Sequence, residues 1–249
     1  MKSGCLKFFL GSVIFVVVAI ILLRIFQPPL PKGTGGAAAD ELARQMMSSV
    51  NCEAWEQTHW VQWSFAGHRY IWDKKRNLLQ AEWGDKKVLL QLDNQQGLAY
   101  QSGELISGKK ADKARQKAWA FFCNDSFWLN PVCKAFDPGT ERTRVELPDG
   151  GSGVAVTYTS GGVTPGDTYL WELDEQFRPK RWRMWVKILP VGGIPADWIN
   201  WRQLQGGAWI AGQRALGPMK LGFEDASAGN HWEEIGLQAD PFLPLQQQL

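Results

Sequence analysis

The sequence predicts a mainly β fold of the α+β class: a curved antiparallel sheet with a Trp-lined concave face, covering helices and an N-terminal transmembrane helix. Three observations carry this. Residues 153–188 read as three strands in which apolar and polar positions alternate with period two. Residues 55–100 read as a meander of short strands joined by two- to five-residue turns. Finally, 14 Trp stand against 4 Tyr in 249 residues, so large flat side chains must cover much of the apolar interior.

The N-terminus comes first. Residues 1–7 are short and basic through Lys2 and Lys7. Phe8 to Leu23 is uninterruptedly apolar or small, and the run continues through Arg24 to Phe26. As a helix rising 1.5 Å per residue, residues 8–26 reach about 28 Å, close to the ~30 Å hydrocarbon core. Arg24 can extend its charge to the far interface. The expected reading is an uncleaved anchor over residues 1–26; the competing one is a cleaved signal sequence. Ala37-Ala38-Ala39 resembles a cleavage site but lies well beyond the apolar run. Lys2 and Lys7 favour a cytoplasmic N-terminus only weakly, because Arg24 and Lys32 oppose them. Residues 27–36 (QPPLPKGTGG) form a Pro/Gly linker.

The main domain spans residues 37–225. Asp40 to Val50 reads as a helix with an apolar stripe of Leu42, Met46 and Met47. Strands follow from Trp55. Trp55, His59, Val61, Trp63 and Phe65 share one face, then Tyr70 and Trp72, then Leu79, Ala81 and Trp83, then Val88, Leu90 and Leu92. Lys110 to Cys123 breaks the alternation with apolar residues at helical spacing, a helix that either covers the sheet or moves as a lid. Phe127-Trp128-Leu129 forms an apolar patch after it. In residues 153–188, Val154, Val156 and Tyr158 alternate first, then Tyr169, Trp171 and Leu173, then Trp182, Met184, Val186 and Ile188. Trp198, Trp201 and Trp209 mark two further strands, and residues 217–221 a last one. The tail, 226–249, ends in PFLPLQQQL and is expected to be loosely held.

Charge and cysteines narrow the function classes. With 27 basic and 25 acidic residues, nothing favours nucleic acid. Cys5 precedes the apolar run, and Cys52, Cys123 and Cys133 follow it. The short loop between Cys123 and Cys133 makes them the expected disulfide, contributing a little under ~3 kcal/mol, with Cys52 left over. No zinc spacing is present, and no metal or cofactor is expected.

No catalytic motif stands out. There is no G-x-S-x-G. His59 and His68 flank the first hairpin, where a hydrogen-bonded or solvated role is the plainer reading. Asp73, Asp167 and Asp174 sit at strand ends and serve turns. The Gly-rich stretch 161–167 precedes no helix, which speaks against a phosphate loop. Arg142, Arg144, Arg178, Arg181 and Arg183 read as a solvated strand face, or alternatively as contacts to lipid headgroups.

Asp40–Val50, the strand from Glu56 to Phe65 and the stretch YLWELD-turn-Pro179-Lys180-Arg181-Trp182-Arg183-Met184 together resemble the lipoprotein-carrier (LolA-like) superfamily of bacterial envelope proteins. The resemblance covers about residues 37–225. It implies a half-barrel, a curved antiparallel sheet wrapping an apolar cavity closed by helices, that holds lipid or lipoprotein acyl chains. It also implies a bacterial inner-membrane setting, with the anchor crossing once and the main domain in the periplasm. The anchor and the cysteine pair depart from the soluble carrier pattern, which suits a tethered binder better than a shuttle. On alternation, the inward ligand-contacting residues are Trp63, Phe65, Tyr70, Trp72, Trp83, Tyr158, Tyr169, Trp171, Trp182, Met184 and Trp198. Two other classes stay open: a structural or assembly protein whose Trp face is filled by its own helices and which meets a partner protein, and an enzyme, for which His59 or His68 would converge with a carboxylate in a pocket.

Overall fold

The computed structural model describes residues 28–160, 165–189, 191–223 and 225–246. Its first hairpin shows how the sheets are made. Strand β1 (Trp60–Phe65) pairs with β2 (His68–Asp73), Phe65 lying opposite His68, so only Ala66 and Gly67 form the turn. Both have positive φ, 49° and 83°, the geometry whose twist matches the flanking strands. The meander continues through β3 (Leu78–Trp83), β4 (Lys86–Gln91), β5 (Gly97–Gln101) and β6 (Glu104–Ile106).

A 22-residue helix then leaves this sheet for a second one. The second sheet is again an antiparallel meander: β7 (Thr140–Glu146), β8 (Ser152–Tyr158), β9 (Asp167–Leu173), β10 (Pro179–Trp185), β11 (Ile194–Gln203), β12 (Trp209–Leu216) and β13 (Met219–Gly222). Last, β14 (Ser227–Gly229) returns to pair with β1. The chain is therefore mainly β, as expected, but two seven-stranded antiparallel sheets stand where one was anticipated, and neither closes into a barrel. The break falls where the connecting helix interrupts the hydrogen-bonded ladder between β6 and β7.

The helices are α1 (Ala37–Ser49), α2 (Cys52–Gln57), α3 (Gly108–Leu129) and α4 (Leu243–Gln246). Helix α1 packs on β7 and β8. Its Asp40 accepts a hydrogen bond from Arg142 at 2.5 Å. Residues 52–57 are helical rather than the start of a long strand, because the Asn51 side chain accepts from the Ala54 N–H and caps the turn. Helix α3 runs on past Cys123 and absorbs Phe127-Trp128-Leu129.

This continuation also decides the disulfide. Cys123 stays on the helix as a free thiol, while Cys52 on α2 meets Cys133 in the 3-10 turn Pro131–Lys134. The bond Cys52–Cys133, with Cα atoms 5.3 Å apart, replaces the expected Cys123–Cys133 pair. It spans 81 residues, which in the chain-entropy model contributes about 4.5 kcal/mol.

The C-terminal segment is packed where a loose tail was expected. Ile235, Phe242 and Leu245 are buried with Trp60, Ile71, Leu78, Leu89 and Leu98 on the outer face of the first sheet. Arg76 donates to Asp240 through both terminal nitrogens, at 2.7 and 3.0 Å, and to Asp73 at 2.5 Å. Its guanidinium also lies over the rings of Trp60 and Phe242. A hydrophobic surface and a charge clamp thus hold the segment down. Among the described residues no helix is long and apolar enough to cross a membrane. The anchor expected over residues 8–26 lies outside them.

Candidate functional site

Most of the Trp residues expected to face inward are packed into the core between the sheets. Trp63, Phe65, Tyr70, Trp171, Trp182, Met184 and Trp198 are all buried in the core between the sheets. Trp171, Trp182 and Trp198 touch one another, with ring centroids 4.9–5.2 Å apart. Helix α3 drives its aromatic side into this surface. Phe122 packs on Trp63 at 6.2 Å, Phe121 on Trp83 at 5.6 Å, and Trp128 on Phe65 at 6.3 Å and on Trp182 at 4.9 Å. Such ring contacts add to area burial.

Space remains along the C-terminal half of α3. One cavity of about 420 Å³ lies between α3 and the second sheet. Its walls are Trp119, Phe122, Phe127, Trp128, Tyr158 and Tyr169, and Cys123, Asn124, Ser126, Lys134, Asp137, Ser160 and Asp167 supply polar atoms. A second, of about 350 Å³, adjoins it toward the first sheet and is lined by Trp55, Trp72, Leu92, Lys74 and Glu56, among others. The two share Trp119, Phe122, Ser126, Lys134 and Asp137. Of the eleven residues expected to contact a ligand, only Tyr158, Tyr169 and Trp72 line these cavities. The other eight lie in the core or, for Trp83, pack against it.

The polar groups have distinct states. Burial, reinforced by the Asp137 charge, holds the Tyr158 phenol protonated well above its ordinary range, and burial together with Asp167 does the same to Tyr169. Both phenols therefore act as neutral hydrogen-bonding groups. Burial also pushes the Cys123 thiol up, against the nearby Lys134 charge, which disfavours the thiolate. Lys134 pairs with Asp137 at 2.8 Å. Burial pulls Lys74 down to about 8, the Lys134 charge adding to this and Glu56 opposing it. Its ammonium donates to the Trp55 carbonyl and lies 4.7 Å from the Trp55 ring and 5.6 Å from that of Trp72.

A histidine does meet a carboxylate, though not in either cavity. His68 Nδ1 lies 2.7 Å from Asp125 Oδ2, which also accepts from the Tyr70 hydroxyl at 2.6 Å. Asn124 donates to the other oxygen at 2.8 Å. The imidazole stacks on Phe121, centroids 3.8 Å apart. This is the base-and-orienter half of a nucleophilic triad. Among the described residues no hydroxyl or thiol is hydrogen-bonded to the other imidazole nitrogen. The cluster's evident work is to anchor α3 to β2 through a satisfied buried carboxylate. Among the described residues no group of three or more His, Cys, Asp and Glu converges as a metal site.

Most of the basic strand residues are paired. Arg142 meets Asp40, Arg181 meets Asp197 and Arg183 meets Glu172, at 2.5, 2.5 and 2.6 Å, and Arg144 meets Glu146 at 3.3 Å. Arg178 instead stacks on Trp209 at 4.5 Å. With their charges engaged in this way, they offer little to a headgroup.

No protein-family model matches the chain, and no curated protein matches it in sequence.

The sequence reading missed Lys74, Lys134, Trp119, Phe127 and Trp128. Lys74-Lys75-Arg76 reads as an ordinary solvated turn, and nothing local to it reveals that Trp55 and Trp72 enclose the first lysine. The aromatic run Trp119 to Trp128 carried a signal, since a helix with aromatics on several sides must pack on more than one surface.

Proposed function

We propose that the protein is a membrane-anchored envelope protein that binds one small apolar or amphipathic molecule, with the anchor formed by residues 8–26 and the main domain in the periplasm. The observation that carries the binding is the cavity of about 420 Å³ beside α3, walled by six aromatic residues with polar groups on one side. That volume lies in the ~300–1,000 Å³ range of small-molecule sites, and an aromatic wall with polar groups to fix orientation is typical of them. The bound species would sit between α3 and β8–β9 rather than against the whole Trp face. Burial of its apolar surface would drive affinity at about 25 cal/mol per Å².

The competing reading is a self-filled structural domain that contacts a partner protein, and the packing of Phe121, Phe122 and Trp128 into the Trp face favours it. Native mass spectrometry of the gently purified full chain separates the two. Added mass that organic solvent removes, together with displacement of a fluorescent apolar probe, supports ligand binding. Filling the cavity with Ser126→Phe should abolish the probe signal. A bare chain that also fails to take up the probe moves the assignment to the structural reading.

A further inference from the structure

The second cavity holds a lysine that no described carboxylate reaches at ion-pair distance, although Glu56 and Asp137 also line it. Lys74 is half-buried beneath Trp55 and Trp72, and among the described residues no carboxylate lies within ion-pair distance of it. Arg76, Arg142 and Lys134 each have a carboxylate at 2.5–2.8 Å, whereas Arg178 and Arg202 donate to backbone carbonyls, as Lys74 does. The acidic groups nearby do not mend this. Asp137 is engaged by Lys134, and Glu56 is exposed on α2, where water screens it. Glu56 raises the proton affinity of Lys74 more than Lys134 lowers it, but burial outweighs both. The indole N–H of Trp72, which lines the same cavity, is buried without an acceptor. Two ammonium groups and two carboxylates, Lys134 and Asp137 already paired with each other, therefore line a space of about 350 Å³ that shares five lining residues with the aromatic cavity.

Resting on the ligand-binding reading above, we propose that this second cavity takes the anionic headgroup, a carboxylate or phosphate, of an amphiphile whose apolar part occupies the cavity beside α3. Lys74 would supply charge-assisted hydrogen bonds from a desolvated position, where they are strong. Lys134, at the boundary of the two cavities, would share the anion, and the Ser126 hydroxyl lies in both linings. A neutral amphiphile would leave Lys74 uncompensated.

The depressed proton affinity of Lys74 gives this a pH signature. The charged groups that bear on Lys74 are Glu56 on α2 and Lys134, with its partner Asp137, on the turn after α3. Free Lys74 loses its proton near pH 8, so anion binding weakens as pH rises beyond that value. A bound anion shifts the loss upward.

The test uses the full chain in phosphatidylcholine nanodiscs, with empty discs as blanks, titrated calorimetrically with octyl phosphate, octanol and inorganic phosphate. At pH 7 octyl phosphate should bind about tenfold or more tightly than octanol. That ratio should fall toward one between pH 8 and pH 10.5, and Lys74→Gln should bring it near one already at pH 7. The wild-type pH profile needs no variant, so misfolding of Lys74→Gln would not blunt the test. Equal binding of octyl phosphate and octanol overturns the headgroup site while leaving the apolar site standing. Binding of neither sinks the ligand-binding reading itself. Inorganic phosphate matching octyl phosphate keeps an anion site but overturns its link to an amphiphile.

Discussion

The two sheets have the same strand count and both are built on a meander, the first completed by β14 beside β1, yet they are covered differently. The first is buried on both faces: Trp63, Tyr70, Leu79 and Leu90 point to the core, while Ile71, Leu78, Leu89 and Leu98 lie under the C-terminal segment. The second is buried mainly on one. Its outer face carries Lys180, Arg181 and Arg183 around a small cluster of Val145, Ala155 and Leu170. The difference is written in the pattern of the strands. Adjacent apolar residues (Leu78-Leu79, Val88-Leu89-Leu90) mean burial on both faces, whereas strict alternation (Arg181-Trp182-Arg183-Met184) means one wet face.

The sharpest way to break this contrast is to remove each outer cover. Phe242→Ala should cost about 3–5 kcal/mol in urea unfolding, since a fully buried aromatic leaves a cavity. Val145→Ala should cost only about 1–2 kcal/mol. Equal losses would mean the covers are equivalent. Next in size is Cys52→Ser, expected to cost about 2–4 kcal/mol. Because the bridge ties α2 to the turn that leads from α3 into the second sheet, one cooperative transition should persist at a lower midpoint. Two separate transitions would show the sheets to be independent units.

Tyr70→Phe removes one of the two hydrogen bonds to a single oxygen of buried Asp125 and should cost about 1–2 kcal/mol. Its pH dependence has a definite sign. Burial, then the Asp125 hydrogen bond and charge, raise the Tyr70 phenol above its ordinary 10.0. Its contribution is therefore complete below pH 10 and lost as pH rises above it, and Tyr70→Phe should unfold with less alkaline sensitivity. Asp240 runs the other way. Burial alone would raise it, but the Arg76 hydrogen bond and charge together with the Phe242 N–H outweigh burial and lower it below 3.8. The clamp is thus at full strength above that pH and weakens as pH falls through the depressed value, and Asp240→Asn should cost about 1 kcal/mol at pH 7 and nothing further in acid. Smallest are two turn substitutions, one per sheet. Ala66 (φ 49°) and Phe177 (φ 61°) hold left-handed conformations in hairpin turns. Replacing either by Gly should stabilise by about 0.5–1 kcal/mol, read as a rise in Tm.

Much of the strand content was legible because turns such as Ala66-Gly67, Gly84-Asp85 and Gly206-Gly207 punctuate alternating runs. What escaped was what local periodicity does not encode. Three-residue strands such as β6 and β14 are too short to show a period. The division into two sheets depends on where α3 leads the chain, and the partner of Cys133 depends on how far that helix runs. The cavity escaped for a related reason. Alternation marked Trp63, Trp171, Trp182 and Trp198 as inward, and they are buried, but whether such a face is filled from inside the chain depends on Phe121, Phe122 and Trp128 reaching it from a helix distant in sequence. The pairing of Arg142 with Asp40, across 102 positions, is of the same kind.

The position of β14 bears on how the molecule is made. Trp60 lies opposite Gly229, with the whole second sheet between them in the chain. A ribosome or translocon delivering the chain from its N-terminus therefore releases β1 as a bare, aromatic-rich edge, and the strand that shields it arrives only after thirteen others. Until then that edge is free to pair with another nascent chain. The segment from Ser227 onward acts as a clasp, and the edge of β1 stays open to misassembly until residues 66–226 have been made.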